Sequence, residues 1–247
     1  MKIRNIARRL LFPGFDIHTR SRSALCKHWD VAGKTVLDAG CGNGYFSKLA
    51  IDYGAKKVVG TSFEDKNTQK AKAFFKKEID KGRMEFRTAN LYNLEADFPA
   101  ESFDAIICYE VVEHLMDDQK VVNSFYRLLK PGGVLHLCAP NKLHPVHDGI
   151  TPSATEDGWH VRKGYDEADF RNLVEKAGFS AQAFTGIGNE YTFKTDHFVR
   201  KMRKKYGHAP ALPLFAVANM VSKIAGHECK DLTKAFSIYV KAVKLPT

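Results

Sequence analysis

Three glycines at alternate positions, Gly40, Gly42 and Gly44, follow the strand-like phrase VLDAG and precede the helix-like phrase YFSKLAIDYGA. Such spacing lets a chain turn sharply from a strand end into a helix start, and it leaves backbone N–H groups bare. At the positive end of a helix dipole, those groups suit a carboxylate or phosphate. Asp38 stands at the strand end, where a carboxylate can orient an ammonium group directly or through water. A second concentration of chemistry lies in CYEVVEHL, with Tyr109, Glu110, Glu113 and His114. His114 is the best-placed general base. With His160 of WHVRKGY, the two glutamates and His114 could also supply two carboxylates and two imidazoles to a divalent metal.

These residues need a scaffold that brings several strand ends to one edge. Strand-like and helix-like stretches alternate along the chain: VLDAG, KKVVGTS, a lysine-rich helix, RMEFRTAN, FDAIICYEV, a helix near Gln119 to Leu129, and GGVLHLCAP. That alternation predicts an α/β fold with a doubly wound, mostly parallel sheet of seven strands, whose ligands sit at the C-terminal strand ends. In LLKPGG, Pro131 stops a helix and the glycines permit a turn into the next strand. DEADFRNLVEKAGF reads as a helix with Phe170, Leu173, Val174 and Ala177 on its apolar face, and SAQAFTGIG and FSIYVKAVK as an antiparallel closing pair. The chain reads as a single domain, 1–247, with an N-terminal helical extension over 1–30, including a first helix over 16–30, and a helical insertion over 189–233 before the last strand. In that insertion Tyr191, Thr195, Phe198, Met202 and Tyr206 form one helical stripe among lysines and arginines. A cap over the active site is the expected role, and contact with an anionic membrane surface is the alternative.

Composition bounds the partners. The 247 residues carry a formal net charge of +10, with 44% hydrophobic and 27% charged residues. That is a globular balance with attraction to polyanions: nucleic acid, anionic lipid or a phosphorylated intermediate. Five cysteines are scattered without a CxxC, which argues against structural zinc and for a reducing, cytoplasmic setting, including the inner face of a membrane. The start MKIRNIARRLLF has basic residues but no signal-peptide apolar core; it is patterned as a short amphipathic helix.

The VLDAGCGNG block resembles the first motif of class I S-adenosylmethionine (SAM) methyltransferases, whose glycines are spaced GxGxG, whereas dinucleotide dehydrogenases favour GxGxxG. FDAIICYEVVEHL resembles the fourth motif of that family, with its EVxEH ending, and LLKPGG the phrase before its fifth strand. The resemblance covers roughly residues 18 to 185 plus the final strand, and it is specific for SAM rather than for an acceptor. It implies a Rossmann-like fold, SAM as cofactor and S-adenosyl-L-homocysteine as product. It places Gly40, Cys41 and Gly42 in the cofactor loop, and Tyr109 and Glu110 facing the cleft. Ser62 stands where the family has an acidic residue for the ribose, with Phe63 to pack on the adenine and Glu64 within reach. Asn90 stands where an Asp often meets the adenine amino group, and Leu91 would offer its N–H. Arg20, eighteen positions before Asp38, is similar to the arginine that meets the methionine carboxylate in ubiquinone-type O-methyltransferases. The Glu/His set looks like the metal site of small-RNA 3′-terminal ribose methyltransferases.

Because SAM brings its own leaving group, the protein must align the acceptor and exclude water, and a hydroxyl acceptor needs a base or metal besides. His114 and His160 are the candidates for that work, and His144, His147 and Trp159 are candidates to line the acceptor pocket. Three functions stay open: an O-methyltransferase acting on a small-molecule or lipid- or sugar-linked biosynthetic intermediate; an RNA methyltransferase, from the net charge; and a SAM-binding scaffold without catalysis, from Ser62.

Overall fold

The structure, a computed structural model, describes residues 17–207, 213–218, 220 and 228–246. Helix α1 (Ile17–Arg22) continues directly into a 3-10 segment (Ser23–His28), so the helix expected over 16–30 changes type midway. Then follow β1 (Thr35–Ala39), α2 (Tyr45–Asp52), β2 (Lys57–Ser62), α3 (Asp65–Phe74), α4 (Lys76–Asp80), β3 (Met84–Thr88), α5 (Leu94–Asp97), β4 (Phe103–Tyr109), α6 (Asp118–Leu128) and β5 (Leu129–Pro140). The C-terminal third supplies α7 (Glu167–Lys176), β6 (Ser180–Ile187), α8 (Glu190–Tyr206), β7 (Glu228–Cys229) and β8 (Ser237–Val243). The amphipathic stretch proposed within the first sixteen residues lies outside the described residues.

The strands form one sheet in the order β3-β2-β1-β4-β5-β8-β6-β7. β1 to β5 are parallel, while β8 runs antiparallel between β5 and β6, as SAQAFTGIG and FSIYVKAVK foretold. The sheet has eight strands rather than seven because the end of the insertion contributes a two-residue edge, β7, beside β6. The KPGG turn expected before strand five is absorbed into β5: Leu129 pairs with Phe103, the register slips, and pairing resumes at Val134 opposite Ala105.

Central strands read as unbroken apolar runs because both faces are covered. On one face Leu37, Ile106, Leu135 and Val240 meet Val121, Phe125 and Leu128 of α6 and Phe170 and Val174 of α7. On the other, Val36, Val58, Ala105 and Ile107 meet Leu25, Trp29, Ala50, Ile51 and Phe75. Capping fixes where the helices start. Asp117 accepts from the Lys120 N–H at 3.0 Å, and Asp166 and Asp169 form a reciprocal capping box at α7.

In the insertion, α8 buries Thr192, Asp196 and Val199, and Val199 packs with Ile17, Phe215 and Ala218. The expected stripe is displaced by about a quarter turn from that inner face, leaving Tyr191, Phe198 and Tyr206 exposed. α8 therefore rests on α1, with Asp196 accepting from the Ile17 N–H at 3.2 Å. Among the described residues no helix is long and apolar enough to cross a membrane.

Under the second face lies His136, fully buried, its Nδ1 2.8 Å from the Tyr239 hydroxyl. Burial lowers its pKa from 6.5 to about 3, with Lys241 and His28 adding to the shift. The folded state thus favours neutral His136, so stability is full above pH 6.5 and drains as pH falls toward 3, by about 1.4 kcal/mol per unit. Urea melts between pH 7 and 4 should show this acid limb, and His136→Gln should flatten it.

Candidate functional site

The C-terminal ends of β1, β2, β3 and β4 converge on one edge, and the loops there surround a cavity of about 310 Å³. Gly40, Phe63, Glu64, Asn90, Leu91, Val111, His114, Leu115, Glu156 and Gly158 line it. Gly40 is held at φ +77, and a Cβ there would lie 2.3 Å from Val111 Cγ2, so only glycine fits against the wall formed after β4. Gly42, at φ +51, faces open space: a Cβ would meet nothing within 4 Å. The loop is therefore free of side-chain bulk at Gly42.

Around this cradle, the side chains divide. Phe63 is 77% exposed and Glu64 lines the cavity beside it, whereas Ser62 is buried at the end of β2. Residues 63 and 64, rather than 62, therefore present side chains to the cavity. The Asn90 carboxamide oxygen already accepts from the Tyr92 N–H at 3.0 Å, which fixes the turn that holds Leu91 at the cavity wall and leaves that oxygen one further lone pair. Cys41 is buried with its sulfur packed under Gly60, and its N–H donates to the Thr61 carbonyl at 2.7 Å. It shapes the loop without offering a group to the cavity. Tyr109, expected to face the cleft, is instead buried: its hydroxyl accepts from Trp29 Nε1 at 2.9 Å, and its ring packs edge-on against Phe46. Tyrosine at a strand end can cover its own apolar ring only by turning inward here, because Trp29 supplies the polar partner there.

Asp38 likewise turns inward, bonded to Ser47 Oγ at 2.5 Å. Burial lifts its pKa from 3.8 to about 6, opposed by the Ser47 side-chain and backbone bonds. A carboxylate raised in the native state costs nothing below pH 3.8 and its full penalty, about 3 kcal/mol, above pH 6. Asp38→Asn should therefore raise the melting temperature by roughly 5 °C at pH 7.5, and the gain should vanish below pH 4.

At the far side of the loop, Arg20 lies with its guanidinium carbon 5.0 Å from the centroid of the Phe215 ring, and its charge reaches Tyr45 at the start of α2. Arg22, two residues on, is the buried arginine. It pairs with Glu110 at 2.5 Å, and Glu110 also accepts from Ser237 Oγ at 3.1 Å. Glu110 sits at φ +56, a strained conformation for a non-glycine residue, held by its N–H donating to the Cys138 carbonyl. Glu110 is held by Arg22 and Ser237 and is not among the residues whose ligand atoms come together, which are Glu113, His114 and His160.

Those form the second part of the site. Glu113 is 1% exposed, and neither carboxylate oxygen has a hydrogen-bond partner. His114 Nε2 lies 3.7 Å from Glu113 Oε1, and the His114 and His160 rings meet edge-to-face at 4.8 Å. One ligand atom from each of Glu113, His114 and His160 can be chosen so that all lie within 4.8 Å of one another. A carbonyl can only accept, so the 3.1 Å contact of His114 Nδ1 with the Trp159 carbonyl places the proton on Nδ1 and leaves Nε2 with a lone pair. Burial, with the His114 and His147 charges, lowers His160 from 6.5 to about 4 and keeps it neutral at pH 7. Burial, reinforced by the Glu110 charge, pushes Glu113 well above the usual carboxylate range. Two imidazoles facing an orphaned buried carboxyl fit a divalent cation, and they equally fit a proton relay.

His160 faces a second cavity of about 360 Å³, lined with Ile150, Thr151, Ser153, Asp157 and Trp159. Trp159 thus lines this cavity. His144 and His147 do not: both are buried and packed on Phe236, with His147 Nδ1 2.7 Å from the Asn141 carbonyl. Sequence reasoning missed Val111, Leu115, Glu156 and Gly158, which carry no chemical signature, and Arg22, whose only signal was its closeness to Arg20.

The doubly wound sheet, the glycine cradle after β1 and the acid-histidine junction after β4 together define a class I SAM-dependent methyltransferase, and the chain belongs to that family. A methyltransferase-domain family model matches residues 37–137. The chain is 32% identical over 170 residues to a ubiquinone biosynthesis O-methyltransferase of Chromobacterium violaceum, covering 66% of this chain and 71% of that protein. It is 31% identical over 156 residues to a probable SAM-dependent methyltransferase of Mycolicibacterium smegmatis, covering 63% of this chain and 56% of that one. The chain spans about half the length of several curated relatives it matches, mammalian mitochondrial enzymes among them. In fold it is similar to the crystal structure of a SAM-dependent methyltransferase from Mesorhizobium loti, with a TM-score of 0.60 at 18% identity, covering 90% of this chain and 97% of that one.

Proposed function

We propose that the protein is an O-methyltransferase that moves the methyl group of SAM to a hydroxyl of a small-molecule or lipid- or sugar-linked biosynthetic intermediate. The observation that carries this reading is the buried, unpartnered Glu113 carboxyl beside His114 and His160, next to the glycine cradle. A hydroxyl is a poor nucleophile until its proton leaves, and this cluster is equipped to take one. The named activity of the Chromobacterium relative supports the same reading.

In this assignment Gly40, Cys41 and Gly42 shape the loop for the methionine end of SAM, with Arg20 at the carboxylate. Phe63 packs on the adenine, Leu91 and Asn90 meet its edge, and Glu64 takes the ribose role that Ser62 cannot reach. His114 Nε2 accepts the acceptor proton, and Glu113 balances the imidazolium that forms by giving up its own proton to bulk solvent in the same step. Glu113, His114 and His160 would also hold a divalent cation, which when bound supplies Lewis acidity to the acceptor oxygen. The 360 Å³ cavity receives the acceptor against Trp159. The test is isothermal titration with SAM and S-adenosylhomocysteine, before and after chelation and with Mg²⁺ restored, followed by an acceptor screen read by mass. Micromolar binding and a phenol or alcohol gaining one methyl group is the expected result. SAM binding with no acceptor methylated would instead favour a scaffold, and methylation of RNA in place of small hydroxyl compounds would reassign the acceptor class.

A further inference from the structure

The loop after β5 returns across the site as a strap, residues 148–164, that separates the two cavities: Glu156 and Gly158 line the first, and Asp157, Trp159 and His160 line the second. Its base is anchored by Arg162, which donates to Asp118 at 2.5 Å and to the Leu115 carbonyl at 2.6 Å. Its middle is tied to the catalytic junction, with the Val161 N–H on the Glu113 carbonyl at 2.9 Å and the Trp159 carbonyl on His114. Its tip reaches the opposite wall through one side chain. Glu156 Oε1 accepts from the Tyr92 hydroxyl and, at 2.6 Å, from the Met116 N–H, while Tyr92 in turn accepts from the Asp117 N–H at 3.1 Å. Tyr92 follows Leu91 directly, and its own N–H is held by Asn90.

We propose that Tyr92 and Glu156 are positioning residues that couple the cofactor's adenine subsite to the strap bearing Trp159 and His160, so that filling the first cavity orders the wall of the second. This rests on the cofactor assignment above. The physical basis is connectivity: a base held by Asn90 and Leu91 stiffens the turn from which the Tyr92 hydroxyl projects, and that hydroxyl fixes the carboxylate at the strap tip. Glu156 itself lines the adenine cavity, so the link is one side chain long. The strap is otherwise exposed, with Trp159 at 75%, and its tip has few apolar contacts to hold it. Segments of that kind sit at the low-stability end of a fold, where one or two hydrogen bonds decide their order.

Amide hydrogen exchange with S-adenosylhomocysteine as the probe tests this. In the unaltered protein the ligand should slow exchange over 38–44 and 89–92, and also over 151–161. In Tyr92→Phe and Glu156→Ala, at saturating ligand, the first two segments should still be protected while strap protection falls by about fivefold. Glu156→Gln, whose amide oxygen still accepts from both donors, should restore strap protection. Equal strap protection in all variants, or none in the unaltered protein while 38–44 is protected, would overturn the coupling alone. If 38–44 itself gains no protection, the cofactor assignment fails and the coupling with it.

Discussion

Gly42→Arg is expected to weaken SAM binding by at least about 100-fold while leaving the protein folded. The two halves of that expectation have separate causes. Open space around Gly42 means that an added side chain displaces no core atom, and its φ of +51 costs a non-glycine residue only about 1 kcal/mol. What the side chain does occupy is the approach of the cofactor's amino acid end to the bare N–H groups of the loop. Gly40→Ala is the contrasting control, because its Cβ would be driven 2.3 Å from Val111 and would disturb the β4 junction as well. Calorimetry with SAM, read beside thermal melts, should show binding lost with the melting temperature of Gly42→Arg lowered by only about 2–4 °C. Retained affinity would move the cofactor away from this loop.

The parts of this molecule legible in its sequence were those with strong local patterning. Apolar runs such as VLDA and DAIIC, alternating with helical phrases, led directly to the parallel sheet, because strands covered on both faces have no polar side to show. The glycine cradle was readable because backbone conformation restricts residue type there. The destination of individual polar side chains was not. Tyr109 and Asp38 occupy the expected strand ends, yet Trp29 and Ser47, distant or on the next helix, supply partners that turn them inward. Ser62 is the last residue of β2 and is buried there, whereas Glu64 lies beyond the strand at the N-cap of α3, so where β2 ends decides which of them reaches the cavity. Which face of α8 is buried was likewise not readable: Asp196, bonded to the α1 backbone, lies on the inner face, while Tyr191, Phe198 and Tyr206 of the stripe stay exposed.

Glu113→Gln should lower turnover by about 100-fold or more with SAM affinity nearly unchanged. The substitution keeps the shape and the buried polar atoms but removes the group that can become an anion. In the resting protein burial holds Glu113 in its neutral form, so the glutamine variant should fold as well as the native chain or better. The demand for a negative charge arises when His114, 3.7 Å away, takes a proton, or when a cation is bound by the same three side chains. Either way the loss appears in the chemical step and not in cofactor binding, because Glu113 itself does not line the cavity assigned to the cofactor. His114→Ala should share the loss of turnover, and the double variant should be little worse than either single one, since the two act as one unit. Full activity in Glu113→Gln would reduce the buried acid to a structural role, anchored through its backbone carbonyl to Val161, and would leave His114 to act alone.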